Sequence, residues 1–154
     1  MMRVYLMRHG QPVSSMENPE QPLSDLGKKD VEKIAEFLHR AGVKIDQALY
    51  SGKTRARQTA MIMASRLNPK MEPQESSSLA PFDDVTRIAN QINEAKKDQL
   101  VAGHMPHLSK LVSLLIVGDQ SVPVVHLPQS GVVCLEKDEI ERWSIAWVLV
   151  PDIL

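Results

Sequence analysis

The chain has 154 residues, and its 43% hydrophobic and 24% charged content, with 7 Gly and 10 Pro, is ordinary for a globular protein. This excludes a disordered, collagenous or repeat-built chain and predicts one domain over 1–154. Its 18 Lys and Arg against 19 Asp and Glu give a formal charge of −1 with no long run of like charges, so neither nucleic acid nor a membrane surface is an expected partner. The single Cys134 cannot form an internal disulfide and fits a reducing compartment. Val4 to Met7, between Arg3 and Arg8, is shorter than a signal-peptide core, and the apolar stretch Leu111 to Val117 is far short of a membrane span. The expected location is the cytoplasm.

In chain order, a first strand is predicted over Val4 to Met7, followed by a loop marked by Pro12, Pro19 and Pro22. A helix then spans Asp25 to Ala41, with Val31, Ile34, Ala35 and Leu38 at i, i+3, i+4 and i+7, Ser24 as N-cap and Gly42 as stop. A short strand, Ala48 to Tyr50, leads into a helix from Thr54 to Leu67, which turns Ala56, Ala60, Met63, Ala64 and Leu67 to one side and ends before Pro69. Beyond a loop with Pro73, Pro81 and Ser76 to Ser78, a third helix is expected from Asp84 to Ala95, with Val85, Ile88, Ala89 and Ile92 inward. A strand over Leu100 to Ala102 and a helix from His107 to Val117, with Leu108, Leu111, Val112 and Leu115 inward, follow. Past Pro123 and Pro128, strands Val132 to Leu135 and Ile145 to Val150, split by the charged Glu136 to Arg142, suggest a hairpin at one side. Strands alternating with amphipathic helices predict an α/β three-layer sandwich with a mostly parallel central sheet.

In such sheets ligands bind beyond the carboxyl ends of the strands. The residues expected there are Arg8-His9-Gly10, Ser51-Gly52-Lys53-Thr54-Arg55-Ala56-Arg57 and Gly103-His104-Met105-Pro106-His107, so three segments bring cations and imidazoles to one edge. Lys53, Arg55 and Arg57 stand at a helix start, where the macrodipole disfavours cations, so an anion is expected among them. A phosphate fits both the free helix-start amides and a guanidinium fork. For Lys53 and Arg57, solvation is an equally good account. An imidazole with one nitrogen fixed by a backbone carbonyl presents the other as a nucleophile, which suits His9, while Gly10 permits close backbone approach. His104 would donate to a phosphoryl oxygen, protonated when the dianion is present. A competing metal site of His9, His104 and His107 lacks clustered carboxylates or thiols, and the arginines would repel a divalent cation, so no metal is expected. His107 is either a helix-start residue or a supporting donor, and His39 and His126 read as fillers.

These segments resemble the histidine phosphatase superfamily, the phosphoglycerate-mutase-like fold. The resemblance rests on L-M-R-H-G at Leu6 to Gly10, S-G-K-T-R-A-R-Q-T at Ser51 to Thr59, G-H-M-P at Gly103 to Pro106 and P-L-S-D-L-G at Pro22 to Gly27. It implies that His9 is the phosphorylated nucleophile, that Arg8, Arg55 and His104 surround the transferring phosphoryl group, and that no cofactor is needed. The intervals between His9, Arg55 and His104 leave no room for a large inserted cap. In this the chain is similar to the short phosphohistidine phosphatases of the SixA type, which implies a phosphohistidine-bearing protein domain as partner. Gly52 stands where the family more often has Pro, and Gln11 where several relatives carry an acid. That leaves Asp83 and Asp84 as candidate general acids, with N-capping of the third helix an equal alternative. An alkoxide leaving group needs a proton badly, whereas imidazole, with an ordinary pKa near 6.5, can leave already protonated, so a weak acid favours a P–N substrate. The alternatives are a phosphomonoesterase for a small metabolite and a non-catalytic phosphate-binding module. Mutase activity is disfavoured, because it would require a site enclosed from water.

Overall fold

In the computed structural model, which describes residues 1–154, apolar residues alternate along the central strands and are buried on both faces of one sheet. Strands β1 (Met2–Arg8), β2 (Gln47–Tyr50), β3 (Gln74–Glu75), β4 (Gln99–Gly103), β5 (Val132–Lys137) and β6 (Trp143–Leu149) lie in the order β3-β2-β4-β1-β5-β6. The pairs β2–β3, β2–β4 and β1–β4 are parallel, and β1–β5 and β5–β6 antiparallel, so the expected hairpin closes one side of a mostly parallel sheet. The four helices are α1 (Asp25–Arg40), α2 (Thr54–Leu67), α3 (Thr86–Ala95) and α4 (His107–Val117), with a final 3₁₀ turn over Pro151–Ile153.

On one face, Tyr5, Met7, Ala48, Leu100 and Cys134 pack under Val31, Ile34 and Leu38 of α1 and Met63 and Leu67 of α2. On the other, Val4, Leu6, Leu49, Val101 and Val133 pack under Ile88 and Ile92 of α3 and Leu108, Leu111 and Val112 of α4. This is the expected three-layer sandwich. The helix after β1 covers one face and the helix after the adjacent β4 covers the other, so a crevice opens between the carboxyl ends of these two strands.

Most strands extend one or two residues beyond their expected ends, the first helix stops at Arg40, and other differences have local causes. The third helix starts at Thr86 rather than Asp84, because the Asp84 carboxylate accepts from the amide and hydroxyl of Thr86 and stays outside the helix. The last strand runs Trp143–Leu149, with an irregularity in register opposite Cys134 and Leu135. Strand β3 was not expected, since it is two exposed polar residues held by backbone pairing of Gln74 with Leu49 and Glu75 with Tyr50. Ser24 does cap α1, accepting from the Gly27 amide at 3.0 Å. No helix is long and apolar enough to cross a membrane.

Candidate active site

The backbone brings the Arg8-His9-Gly10 loop to the crevice by continuing the sheet. The His9 amide donates to the Gly103 carbonyl at 2.9 Å, and the Ser130 amide donates to the carbonyls of Arg8 and His9, so the turn after β1 is braced from both neighbouring segments. Gly10 is required by close approach: a Cβ there would lie 2.9 Å from Val31 Cγ2, 3.0 Å from the Gly27 carbonyl oxygen and 3.1 Å from Leu23 Cδ2. Gly27 answers from α1, where a Cβ would overlap the Gln11 carbonyl oxygen. The P-L-S-D-L-G segment therefore lets the helix lie directly against the Arg8-His9-Gly10 turn.

His9 is 7% exposed, and its Nδ1 is 2.7 Å from the Gly10 carbonyl oxygen. A carbonyl only accepts, so Nδ1 carries the proton and Nε2 keeps its lone pair. Burial, with Arg55 and Arg8 nearby, outweighs the Gly10 hydrogen bond and pushes its pKa down to about 4, so the ring is neutral at pH 7. His104, 2% exposed, lies with its ring centroid 5.0 Å from that of His9. Its pKa is pushed down to about 3 by burial, then by His9, Arg55, His107 and Lys53.

Arg8 donates from Nη1 to the Leu127 carbonyl at 3.0 Å, while its buried Nε has no partner in the chain. Arg55 forms no ion pair, and neither does Arg8, although both lie close enough to the His9 ring to depress its titration. Burial lowers the pKa of both guanidiniums. Two imidazoles and two guanidiniums therefore share one crevice with no carboxylate among the groups that perturb His9 or His104. Lys53 and Arg57 are exposed; Lys53 is the N-cap of α2 without a side-chain cap, and no acid occupies that helix's first turn. This uncompensated positive field is what a phosphoryl group would neutralise.

The remaining candidates are placed as follows. Asp83 accepts from the Ala80 amide at 3.0 Å. Asp84, exposed, is held below the ordinary carboxylate range by the Thr86 amide and hydroxyl, so it resists carrying the proton a general acid must give up. Gln11 Oε1 accepts from the Ser24 hydroxyl at 2.8 Å and so fastens the start of α1. His107 is fully buried; its Nε2 donates to the Ser78 carbonyl at 2.8 Å, pinning the loop before α3 onto α4. The three histidines of the metal alternative therefore do not converge, and no group of three or more His, Cys, Asp or Glu side chains is placed to hold a metal ion. His39 and His126 are exposed.

Two contributors escaped notice as separate residues. Thr59 Oγ1, fully buried, accepts from the Gly10 amide at 3.0 Å and donates to the Arg55 carbonyl at 2.8 Å, tying the Arg8-His9-Gly10 turn to the helix that carries Arg55. Ser51 Oγ, 2% exposed, is 2.6 Å from His104 Nε2. Both lie within the S-G-K-T-R-A-R-Q-T motif, but a small polar residue in a motif carries no signal of the partner it will meet.

Residues 4–112 match the family model of the histidine phosphatase superfamily (branch 1). An uncharacterized protein of Picosynechococcus sp. is 29% identical over 142 residues, spanning 87% of this chain and 84% of its own length. Among solved structures, that of the protein histidine phosphatase SixA complexed with tungstate is similar at a TM-score of 0.86 and 25% identity, covering 99% of both chains. Phosphoserine phosphatase of Entamoeba histolytica in complex with 3-phosphoglyceric acid is similar at a TM-score of 0.72 and 13% identity, covering 96% of both chains, a likeness of fold alone.

Proposed function

The chain belongs to the histidine phosphatase superfamily, and from that premise we propose that it hydrolyses phosphohistidine on a partner protein through a phospho-His9 intermediate. The observation that carries this reading is the crevice of two imidazoles and two guanidiniums in which no carboxylate is among the groups that perturb either imidazole. Nε2 of neutral His9 attacks phosphorus in line with the departing ring; the new N–P bond forms as the substrate's P–N bond breaks. Arg8, Arg55 and His104 hold the equatorial oxygens, and positioning with charge stabilisation supplies most of the rate. When the substrate ring has taken up a proton on its other nitrogen, as an imidazole does near its ordinary pKa of about 6.5, P–N cleavage releases a neutral imidazole, so no general acid has to act on the leaving atom. Water then attacks phospho-His9, releasing inorganic phosphate and regenerating the free ring. No step calls for a metal or an organic cofactor.

The likeness to the SixA protein histidine phosphatase supports the substrate, and the short intervals around the site support an open crevice that a protein surface can reach. Buried, unpaired Cys134 fits action in the reducing cytoplasm. The test is a substrate panel in which a phosphohistidine protein stands beside sugar and nucleotide phosphates, with a search for acid-labile label on His9 after brief exposure to a labelled donor. Faster turnover of the phosphohistidine protein and labelled His9 are expected. A strong preference for the esters would assign the site to a small metabolite, and binding without turnover would make it a phosphate-binding module.

A further inference from the structure

The two imidazoles of the crevice need opposite properties: one must offer a lone pair to phosphorus, the other a proton to a phosphoryl oxygen. His9 obtains its lone pair from the Gly10 carbonyl, which holds the ring proton on Nδ1. No carbonyl or carboxylate accepts a hydrogen bond from the His104 ring. The only hydrogen bond of its ring is the 2.6 Å contact between Nε2 and Ser51 Oγ.

We propose that Ser51 is a positioning residue that donates its hydroxyl proton to Nε2 of His104 and thereby holds the ring proton on Nδ1, the nitrogen left to hydrogen-bond a phosphoryl oxygen. Two observations fix the direction. The Ser51 hydroxyl has one proton, and His104 Nε2 is the only acceptor it meets in the chain; its oxygen meanwhile receives the Lys53 amide at 3.4 Å. The opposite arrangement, Nε2–H to Oγ, would leave the hydroxyl proton without an acceptor in the chain and turn the Nδ1 lone pair toward a phosphate oxygen, lone pair against lone pair.

His9 from β1, Lys53 and Arg55 from the start of α2 and His107 from α4 all disfavour a charged His104. In the free crevice, where burial and then these neighbours keep the ring uncharged, the proton His104 offers is the steered one on Nδ1. The crevice thus holds two neutral imidazoles with the same tautomer but opposite ends toward the substrate: bare Nε2 from His9, Nδ1–H from His104. A hydroxyl suits this task where a carboxylate would not, because a carboxylate would draw the proton to Nε2 and cancel part of the field that attracts the substrate.

This inference rests on the proposed phosphatase reading for its rate effect but not for its tautomer. The experiment is a long-range 1H–15N correlation spectrum of the histidine rings at pH 7 in wild type, Ser51→Ala and Ser51→Thr, with kcat/KM on p-nitrophenyl phosphate, whose good leaving group needs no acid. Wild type and Ser51→Thr are expected to carry the His104 proton on Nδ1. Ser51→Ala should move it to Nε2 with preserved amide dispersion, and lower kcat/KM by about 10- to 100-fold, as loss of an orienting hydrogen bond does. A wild-type proton on Nε2 overturns the inference, as does Ser51→Ala with the wild-type spectrum or with an undiminished rate. If wild type turns over neither esters nor phosphohistidine, the phosphatase reading fails while the spectra still decide the tautomer.

Discussion

The crevice at the carboxyl ends of β1 and β4 and the outer face of α1 are both rich in cations, yet they treat them in opposite ways. At the α1 face, Arg40 of α1 and Arg66 from the end of α2 each reach a carboxylate oxygen of Glu36 at 2.9 Å, and Lys33 lies near Asp30. A hollow of about 640 Å3 lies there too, lined by Lys29, Glu32, Glu36, Arg40 and Arg66 among others. In the crevice, Arg8 and Arg55 are partly buried and have no carboxylate. Hollow size and cation count point to the α1 face, whereas uncompensated, desolvated charge points to the crevice. The second criterion is the chemical one, because burying a cation without a partner is costly unless a ligand supplies the opposite charge.

That contrast can be broken most directly at His9. His9→Ala should abolish turnover while circular dichroism and the melting temperature stay near wild type; retained activity would end the phosphohistidine intermediate. Next in size, Arg55→Ala should lower kcat/KM by about 100- to 1,000-fold through loss of a charge-assisted grip on the transition state. It should also reduce the rise in melting temperature that inorganic phosphate gives wild type. Arg66→Ala on the α1 face should leave kcat/KM unchanged and cost no more than about 1 kcal/mol in a denaturant titration. Equal effects of these two substitutions would erase the distinction between the regions.

Backbone approach offers a third test. Gly10→Ala forces a methyl against Val31, Leu23 and the Gly27 carbonyl, so it should destabilise by about 1–3 kcal/mol in chemical unfolding and misplace His9. The smallest effect is the pH profile. With the His9 pKa near 4, kcat/KM on a small ester should hold its acid side well below pH 6 once substrate ionisation is accounted for, and fall as Nε2 is protonated near pH 4. The same depression has a stability sign. From an ordinary value of 6.5 downward, the unfolded chain takes up protons that folded His9 and His104 refuse. The stability they contribute is thus complete above pH 6.5 and is lost as pH falls toward 4 and then 3, which melts between pH 7 and 4 will show. An acid limb near pH 6.5 would mean that the crevice is more solvated than its burial implies.

What could be read along the chain was local or periodic. The four helices follow from apolar spacing, Ser24 caps α1 as its side chain dictates, and the cations after β1, β2 and β4 stand where a parallel sheet must present its loops. Strand β3 could not be read, because two exposed polar residues leave no alternation and are held only by pairing with Leu49 and Tyr50. The partnership of Ser51 with His104, and Thr59's bridge from Gly10 to Arg55, depend on segments that fold from distant parts of the chain. The Asp84 carboxylate fell to Thr86 because the nearest free amide and hydroxyl were two residues away.

By itself, then, the sequence determined which residue types reach one edge of the sheet and the order of the elements that carry them, since propensity and periodicity act over a few residues. Only the tertiary structure decided which imidazole nitrogen is bare, which carries a proton, and which arginines go without a counter-ion. Those properties follow from hydrogen-bond geometry and desolvation, which arise only when Gly10, Ser51, Arg55 and His104 meet across the crevice.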